Sequence, residues 1–447
     1  MRKEKHSPQR DIAILLLCIV LFTIQALYGT AFAEGSLSLK ECLATAMSVN
    51  PAVTEAQLGI RSAEESVNSA QGKHWPRLTI DGSYVSREDP LPFIPAQSAK
   101  IQPHFSNEFA QLGITLSLPI YQGGQVSNGV SLSQIRMEIQ EQTARQTRYE
   151  IMANTINTYN KILQLERLRE ASLASVNALD EQVKNTRLLL DVGRIARVDL
   201  LKVEVQVANE KQRLIAIDEG LRTASATLIY LMGKSPQNNE AVPQLCDHLA
   251  VPTFDGDMTR GISMAHQRRP EYLAARKGVQ EAEFSRKITA GKLLPSINAY
   301  AGYIDQFSVN PWYREDNWQT GLMLSIPLFD RSLRADVSRE RIQVERARQR
   351  LVALENQISL EVGNSVSAIE ESRNRVTAAE KAVAQSDESF RIEQQKYASG
   401  AGAMVDLLLA QAAAINSAAN YTQALFDYNA ALVAYHRATG TLEDYLK

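Results

Sequence analysis

Apolar and polar residues alternate over residues 111–120. Leu112, Ile114, Leu116, Leu118 and Ile120 share one face, while Gln111, Gly113, Thr115 and Ser117 share the other. A period of two marks a strand with one apolar side. Pro119, lacking an N–H, is expected to stop the ladder. The pattern returns 208 residues later from Gln319, with Leu322, Leu324, Ile326 and Leu328 as the apolar set and Pro327 in the place of Pro119. A second alternating segment precedes each copy. In the first, Leu78, Ile80 and Tyr84 interleave with Thr79, Asp81 and Ser83; in the second, Ile297, Ala299, Ala301 and Tyr303 interleave with Ser296, Asn298 and Gly302. Four strands are therefore predicted, at 76–86, 107–120, 295–305 and 317–328. Pro76, Pro119, Pro295 and Pro327 are expected at the strand–helix junctions. Polar loops over about 86–107 (with Pro90, Pro92, Pro95 and Pro103) and about 305–317 would join each pair. About ten alternating residues are enough to cross a hydrocarbon core, but a soluble sheet would alternate in the same way.

After each second strand the period becomes helical. Ile369, Val376, Val383 and Phe390 repeat every seven residues, with Ser372, Ala379 and Ser386 three positions on. This is a seam with small partners that permits close helix approach and supercoiling. Long helices are predicted over 122–190 and 331–398, each on the order of 100 Å. A hairpin marked by Gly193, or by Gly400 and Gly402, turns each one back. The return passes through Val198-Asp199-Leu200-Leu201 or Val405-Asp406-Leu407-Leu408 and ends near Gly233 or Gly440. The opening helix (39–75) and the return helix (195–232) would each span roughly 55 Å, so end to end they match one long helix.

The chain thus reads as one plan used twice: a first repeat over 34–233, a linker over 234–260 on the outside, a second repeat over 261–440 and a tail, 441–447. Aromatic residues fall near both ends of the strands. Trp75, Tyr121 and Phe329 lie on the helix side, and Phe109, Trp312 and Trp318 on the loop side, as expected of two interfacial girdles.

Composition adds the compartment. Arg2, Lys3, Lys5 and Arg10 precede an apolar run, Ile12 to Phe22, and Ala31-Phe32-Ala33 offers small residues for cleavage; residues 1–33 are predicted to be a signal peptide. Leu17 is too large to precede a lipidated Cys18. No later run is long and apolar enough for a spanning helix. Losing residues 1–33 shifts the formal charge from −2 to −4, which argues against a nucleic-acid partner. Cys42 and Cys246 remain, a possible disulfide in an exported chain or two small apolar residues.

Catalytic patterns are missing. Leu228 stands where a phosphate loop ending in Gly233-Lys234-Ser235 needs its first glycine. The six histidines lack zinc spacing. Arg/Glu-rich stretches such as 339–350 read as solvated helix faces. No enzyme activity, cofactor or metal is expected.

Four strands cannot close a barrel, and open edges in lipid leave backbone groups unsatisfied, so other chains must complete the sheet. Short polar residues on the second face suit a watery lumen. The expectation is an oligomeric conduit; the alternative is a periplasmic coiled-coil adaptor or scaffold that enters no membrane.

The duplicated plan, the Ser-Leu-Pro-Ile-Tyr-Gln-Gly-Gly and Ser-Ile-Pro-Leu-Phe-Asp-Arg-Ser strand ends, and the paired Gly…Val-Asp-Leu-Leu tips resemble the TolC family of outer-membrane efflux proteins over nearly the whole mature chain. The resemblance implies an α plus membrane-β fold: a homotrimer with a twelve-stranded barrel in outer-membrane lipid and a periplasmic helical tunnel. It implies a passive exit duct of a tripartite efflux or type I secretion system, served by a periplasmic adaptor (membrane fusion protein) and an inner-membrane pump. It also implies that Asp406 lines the periplasmic entrance, with Tyr397 and Asp199 as further gate candidates, and that Gly193, Gly400 and Gly402 form adaptor-contact tips. Leu409 replaces the family's second acid, and Gly402 the base of its tyrosine–arginine latch.

Overall fold

The computed structural model describes residues 37–93, 104–235, 244–308 and 312–446. The predicted signal peptide, Pro95 and Pro103 of the first loop, and Pro236 and Pro243 of the linker lie outside the described residues. The order of elements is α1 (Leu39–Val49), α2 (Pro51–Gly72), β1 (Arg77–Phe93), β2 (His104–Gln122), α3 (Gln125–Asp191) and α4 (Arg197–Leu231), then α5 (Met258–Arg268), α6 (Pro270–Gly291), β3 (Ser296–Ser308), β4 (Tyr313–Ser325), α7 (Arg331–Ala398) and α8 (Met404–Thr439). A 3-10 turn, Leu442–Leu446, follows.

Each opening helix is broken in two, at Asn50-Pro51 and at Arg269-Pro270. Clash with the proline ring drives the preceding residue out of the helical region, and Asn50 (ψ 125°) and Arg269 (ψ 120°) are extended. Proline then starts the next helix, where its missing N–H is harmless. Ser38 caps α1 through a reciprocal capping box with Glu41.

The long helices have 67 and 68 residues. α2 and α4 both pack on α3, and α6 and α8 both pack on α7, while α3 also touches α6 and α8. One continuous rail therefore lies beside two pieces in each repeat. The pieces abut end to end. Asn50 Nδ2 donates to the Leu231 carbonyl, and a Cβ at Gly233 would lie 2.7 Å from the Val49 oxygen. A Cβ at Gly440 would lie 2.7 Å from Arg269 N.

The main core sits at this junction. Tyr159, Ile162, Leu221, Leu228, Ile358, Val362, Ile369, Leu425, Tyr428 and Leu432 join α3, α4, α7 and α8 in one cluster. The heptad seam contributes Ile369, Ser372 and Val376, all buried. The inter-repeat segment crosses over this core. Asn429 Nδ2 donates to the Ala250 carbonyl (2.9 Å), Tyr428 Oη donates to the Pro252 carbonyl, and Phe254 meets Tyr435 edge-on. Leu37 and Leu245 form a short parallel bridge. Tyr159 Oη donates to Asp247 (2.7 Å), and burial raises its pKa.

Of the two readings of the cysteines, the possible disulfide is not the one formed: Cys42 and Cys246 are both free. Cys42 is a fully buried thiol, pushed up to about 11 by burial. Leu245 packs on the same core and Asp247 turns in to Tyr159, so alternation sends the intervening Cys246 outward, where it is exposed and free.

The strands form one antiparallel sheet in the order β1-β2-β3-β4. Pro76 and Pro295 immediately precede β1 and β3, and Pro327 follows β4 by two residues. Pro119 departs from expectation: β2 runs on to Gln122, and the missing donor appears as a register shift between Pro119 and Tyr121. β1 also runs past the predicted loop start at 86, through Pro90, with a register shift between Ser86 and Leu91. The β3–β4 connection is far shorter than 305–317, because pairing continues to Ser308 and Tyr313.

Candidate functional site

The sheet is the first half of the site. Register joins Ile80, Ile114, Tyr303 and Trp318 into one row, and Leu78, Leu116, Ala301 and Thr320 into another. Residues paired in register share a face, so the apolar faces of all four strands coincide. No second layer covers them: Ile80 is 68% exposed, Leu322 70% and Trp318 72%. An apolar sheet face left open on this scale marks contact with lipid or protein. The opposite face is polar, with rows such as Thr79–Thr115–Gly302–Gln319 and Ser83–Gln111–Gln306–Glu315. Both edges, β1 and β4, are unpaired among the described residues.

Of the aromatic residues, Trp318 lies on the apolar face, paired with Tyr303. Trp75 and Phe329 are exposed at the helix end, and Trp312 and Trp318 at the loop end. Phe109 pairs with Val85 and Ser308, which places it on the polar face rather than in an outer girdle. The helices offer no other route through a bilayer, since among the described residues none is long and apolar enough to cross one.

The hairpin tips are the second half. α3 closes at Gly193 (φ +72°), whose N–H donates to Leu190 O (2.9 Å) while Arg194 N–H reaches back to Leu189 O (2.9 Å). α7 closes in the same way at Gly400 (φ +76°), with Ala401 N–H on Lys396 O (2.9 Å). Positive φ at the residue after the helix is the usual glycine stop. Gly402 has no positive φ; glycine is needed there because a Cβ would lie 3.0 Å from Lys396 Cβ and from Tyr397 N.

Both return helices start on alanine, Ala196 and Ala403, with no side-chain cap. Asp199 and Asp406 lie in their first turns, where the helix dipole favours a carboxylate. Asp199 pairs with Lys202 at 3.4 Å, whereas Asp406 is exposed. The fold brings Tyr397 and Asp199 together across the two hairpins. Burial, then the Asp199 charge, raises the Tyr397 pKa, and its hydroxyl is buried without a partner among the described residues. Gln182 Nε2 to Met404 Sδ (3.4 Å) ties the hairpins further. Leu188, Val192, Val198, Leu201 and Leu409 leave apolar surface exposed around the tips.

Residues 43–234 and 261–441 match the family model described as outer membrane efflux protein. The chain belongs to the outer membrane efflux protein family. It is 24% identical over 437 residues to the outer membrane efflux protein BepC of Brucella suis biovar 1, covering 95% of this chain and 91% of that protein. Its fold is that of the VceC outer membrane protein of Vibrio cholerae (TM-score 0.76, 17% identity, 90% and 96% of the two chains). It is also that of the CmeC outer membrane channel of Campylobacter jejuni (TM-score 0.78, 14% identity, 90% and 86%). Membership of the efflux protein family makes this chain an outer-membrane efflux channel of a Gram-negative bacterium, and not an enzyme.

Sequence reasoning did not find the side-chain contacts made where the helix pieces meet. Arg269 is 8% exposed in its side chain and pairs with Glu361 (2.6 Å) and Glu271 (3.3 Å). The available signal was the polar residue before proline at equivalent positions of both repeats, Asn50 and Arg269.

Proposed function

We propose that three copies of the chain close their sheets into a twelve-stranded barrel in the outer membrane, continuous with a tunnel of their long helices. The duct is passive, and energy comes from an inner-membrane pump reached through a periplasmic adaptor. The observation that carries this reading is the pair of free edges bordering a sheet with one apolar and one polar face. In lipid an unpaired edge costs several kcal/mol per backbone group. β1 and β4 run in opposite senses, so β4 of one copy can continue antiparallel onto β1 of the next, and twelve is an even number as bacterial barrels require.

At the periplasmic end Asp406, repeated threefold, forms the acidic part of the entrance. The Tyr397 ring packs where the two hairpins of one copy meet, near Asp199, and makes these two residues the gate candidates. The exposed apolar residues around Gly193 and Gly400 form the surface met by the adaptor. Tripartite efflux or type I secretion is the setting; the relative BepC, named an outer membrane efflux protein, supports the efflux branch.

The test is fractionation and electrophoresis of the native protein. A trimer in the outer-membrane fraction, converting to monomer on heating in detergent, is expected. A monomer soluble in the periplasmic fraction would instead support the scaffold reading and end this one.

A further inference from the structure

The sheet register places charged side chains at defined heights on its polar face. Arg77 lies in the row nearest the helices, Arg77–Ser117–Tyr300–Gly321, and the next row, Thr79–Thr115–Gly302–Gln319, is neutral. Asp81 follows in the row Asp81–Gly113–Ile304–Asn317, and Glu315 in the row beyond it, Ser83–Gln111–Gln306–Glu315. Directly behind Asp81, on the apolar face, stand Ile80, Ile114, Tyr303 and Trp318. The next row on that face, Gly82–Leu112–Asp305–Asp316, is charged, so Asp81 lies level with the loop-side edge of the apolar band, on the side turned away from lipid.

Two features leave this carboxylate able to act on the lumen. Asp81 is exposed, and its neighbour on β2 is Gly113, which carries no side chain to cover it. Even a Cβ at Gly113 would meet no atom closer than 3.8 Å, so the space beside Asp81 is open. Asp81 lies four residue steps from Arg77, about 13 Å along the strand. That exceeds a Debye length of about 8 Å at physiological salt, so Arg77 does not cancel it.

We propose that Asp81 makes the barrel cation-selective, as a ring of three carboxylates beside the row of Glu315 and distinct from the entrance acids at the hairpin tips. The proposal rests on the trimeric reading above. A ring of fixed carboxylates raises the local concentration of cations and repels anions. One unit charge at roughly 10 Å in water changes local ion concentration about twofold unscreened and about 1.2-fold at physiological salt, in opposite senses for cations and anions, and three act together.

Purified wild-type protein, Asp81→Asn, Asn317→Asp and, as a comparison at the tips, Asp406→Asn are placed in planar bilayers across a KCl gradient. Asp81→Asn is expected to lower the cation-to-anion permeability ratio by about twofold or more. Asn317→Asp, which adds a carboxylate to the same row on another strand, is expected to raise it. If Asp81→Asn fails to insert, Asn317→Asp still reports on that row. An unchanged ratio in both barrel variants, with a shift only in Asp406→Asn, overturns the proposal. Absence of any conductance from the wild type would count against the duct itself, so the two failures are distinguishable.

Discussion

Asn50 Nδ2 donates a hydrogen bond to the Leu231 carbonyl over 2.8 Å, joining residues 181 apart in sequence. The same side chain accepts from Ala52 N–H at 2.9 Å, capping α2. One residue thus starts one helix and satisfies the last turn of another. This lets two shorter helices stand in line against α3. Asn50 is 4% exposed, so water cannot replace either bond. Replacement by alanine is expected to destabilise the native trimer by about 2 kcal/mol, one cap plus one buried acceptor left unpaired. Asn50→Asp keeps the cap but loses the donor and should fall between. The temperature at which the trimer dissociates in detergent measures both, and an unaltered alanine variant would contradict the account of the joint.

The assignment of the two sheet faces makes a sharper demand. Ile114→Lys puts a charge on the apolar face, at a cost of about 2–4 kcal/mol if it lies near the bilayer midplane. Thr115→Lys, the next residue, points to the polar face and should be tolerated. The amount of heat-modifiable protein in the outer-membrane fraction should drop for the first and hold for the second. Equal amounts would mean that the apolar face does not meet lipid.

The strands were legible because alternation depends only on which side each residue faces, and lipid contact leaves that side unmistakably apolar. Their lengths were less so: Pro119 and Pro90 lack a donor, yet a register shift lets the ladder pass each of them. The heptad seam of α7 was legible through Ile369 and Val376. The contacts of Asn50 and Arg269 were not, because each depends on where a helix end 169 to 181 residues away arrives. Gly402 shows the same limit, since its glycine answers a close approach to Lys396 rather than a backbone angle. At the tips, the sequence supplied Asp199 and Tyr397 separately, and only the packing of one hairpin on the other brings them together.

That meeting can be probed. The Tyr397 hydroxyl is buried without a partner among the described residues. Removing it should therefore cost little or nothing, because an unpaired buried polar group is itself a penalty. Tyr397→Phe is expected to keep the hairpins packed and export intact, whereas Tyr397→Ala, which removes the ring, should loosen the tips. Conductance of purified channels reads the difference. Constitutive opening by the phenylalanine variant would show that the hydroxyl makes a bond in the assembled trimer that the single chain does not contain.

Acid should weaken the chain in two separate windows. His436 is half-buried between Tyr435 and Tyr445, with Nδ1 2.9 Å from Thr441 Oγ1, and burial lowers its pKa below 6.5. A base with a depressed folded pKa is neutral in the native state. The unfolded chain takes up the proton first as pH falls past about 6.5, so stability is complete above that value and declines below it. Glu361 responds lower. Burial pushes its pKa up, but hydrogen bonds from Gln357 and Arg269 and the Arg269 charge outweigh burial, and the result lies below 4.5. Its contribution is present above 4.5 and is lost as pH falls through the folded value. Trimer dissociation temperature measured from pH 8 downward should therefore fall first below about 6.5 and again below about 4.5. His436→Gln should remove the first step and leave the second, and Glu361→Gln should do the reverse. A first step that survives His436→Gln would have to come from another group, and the half-buried ring would no longer explain it.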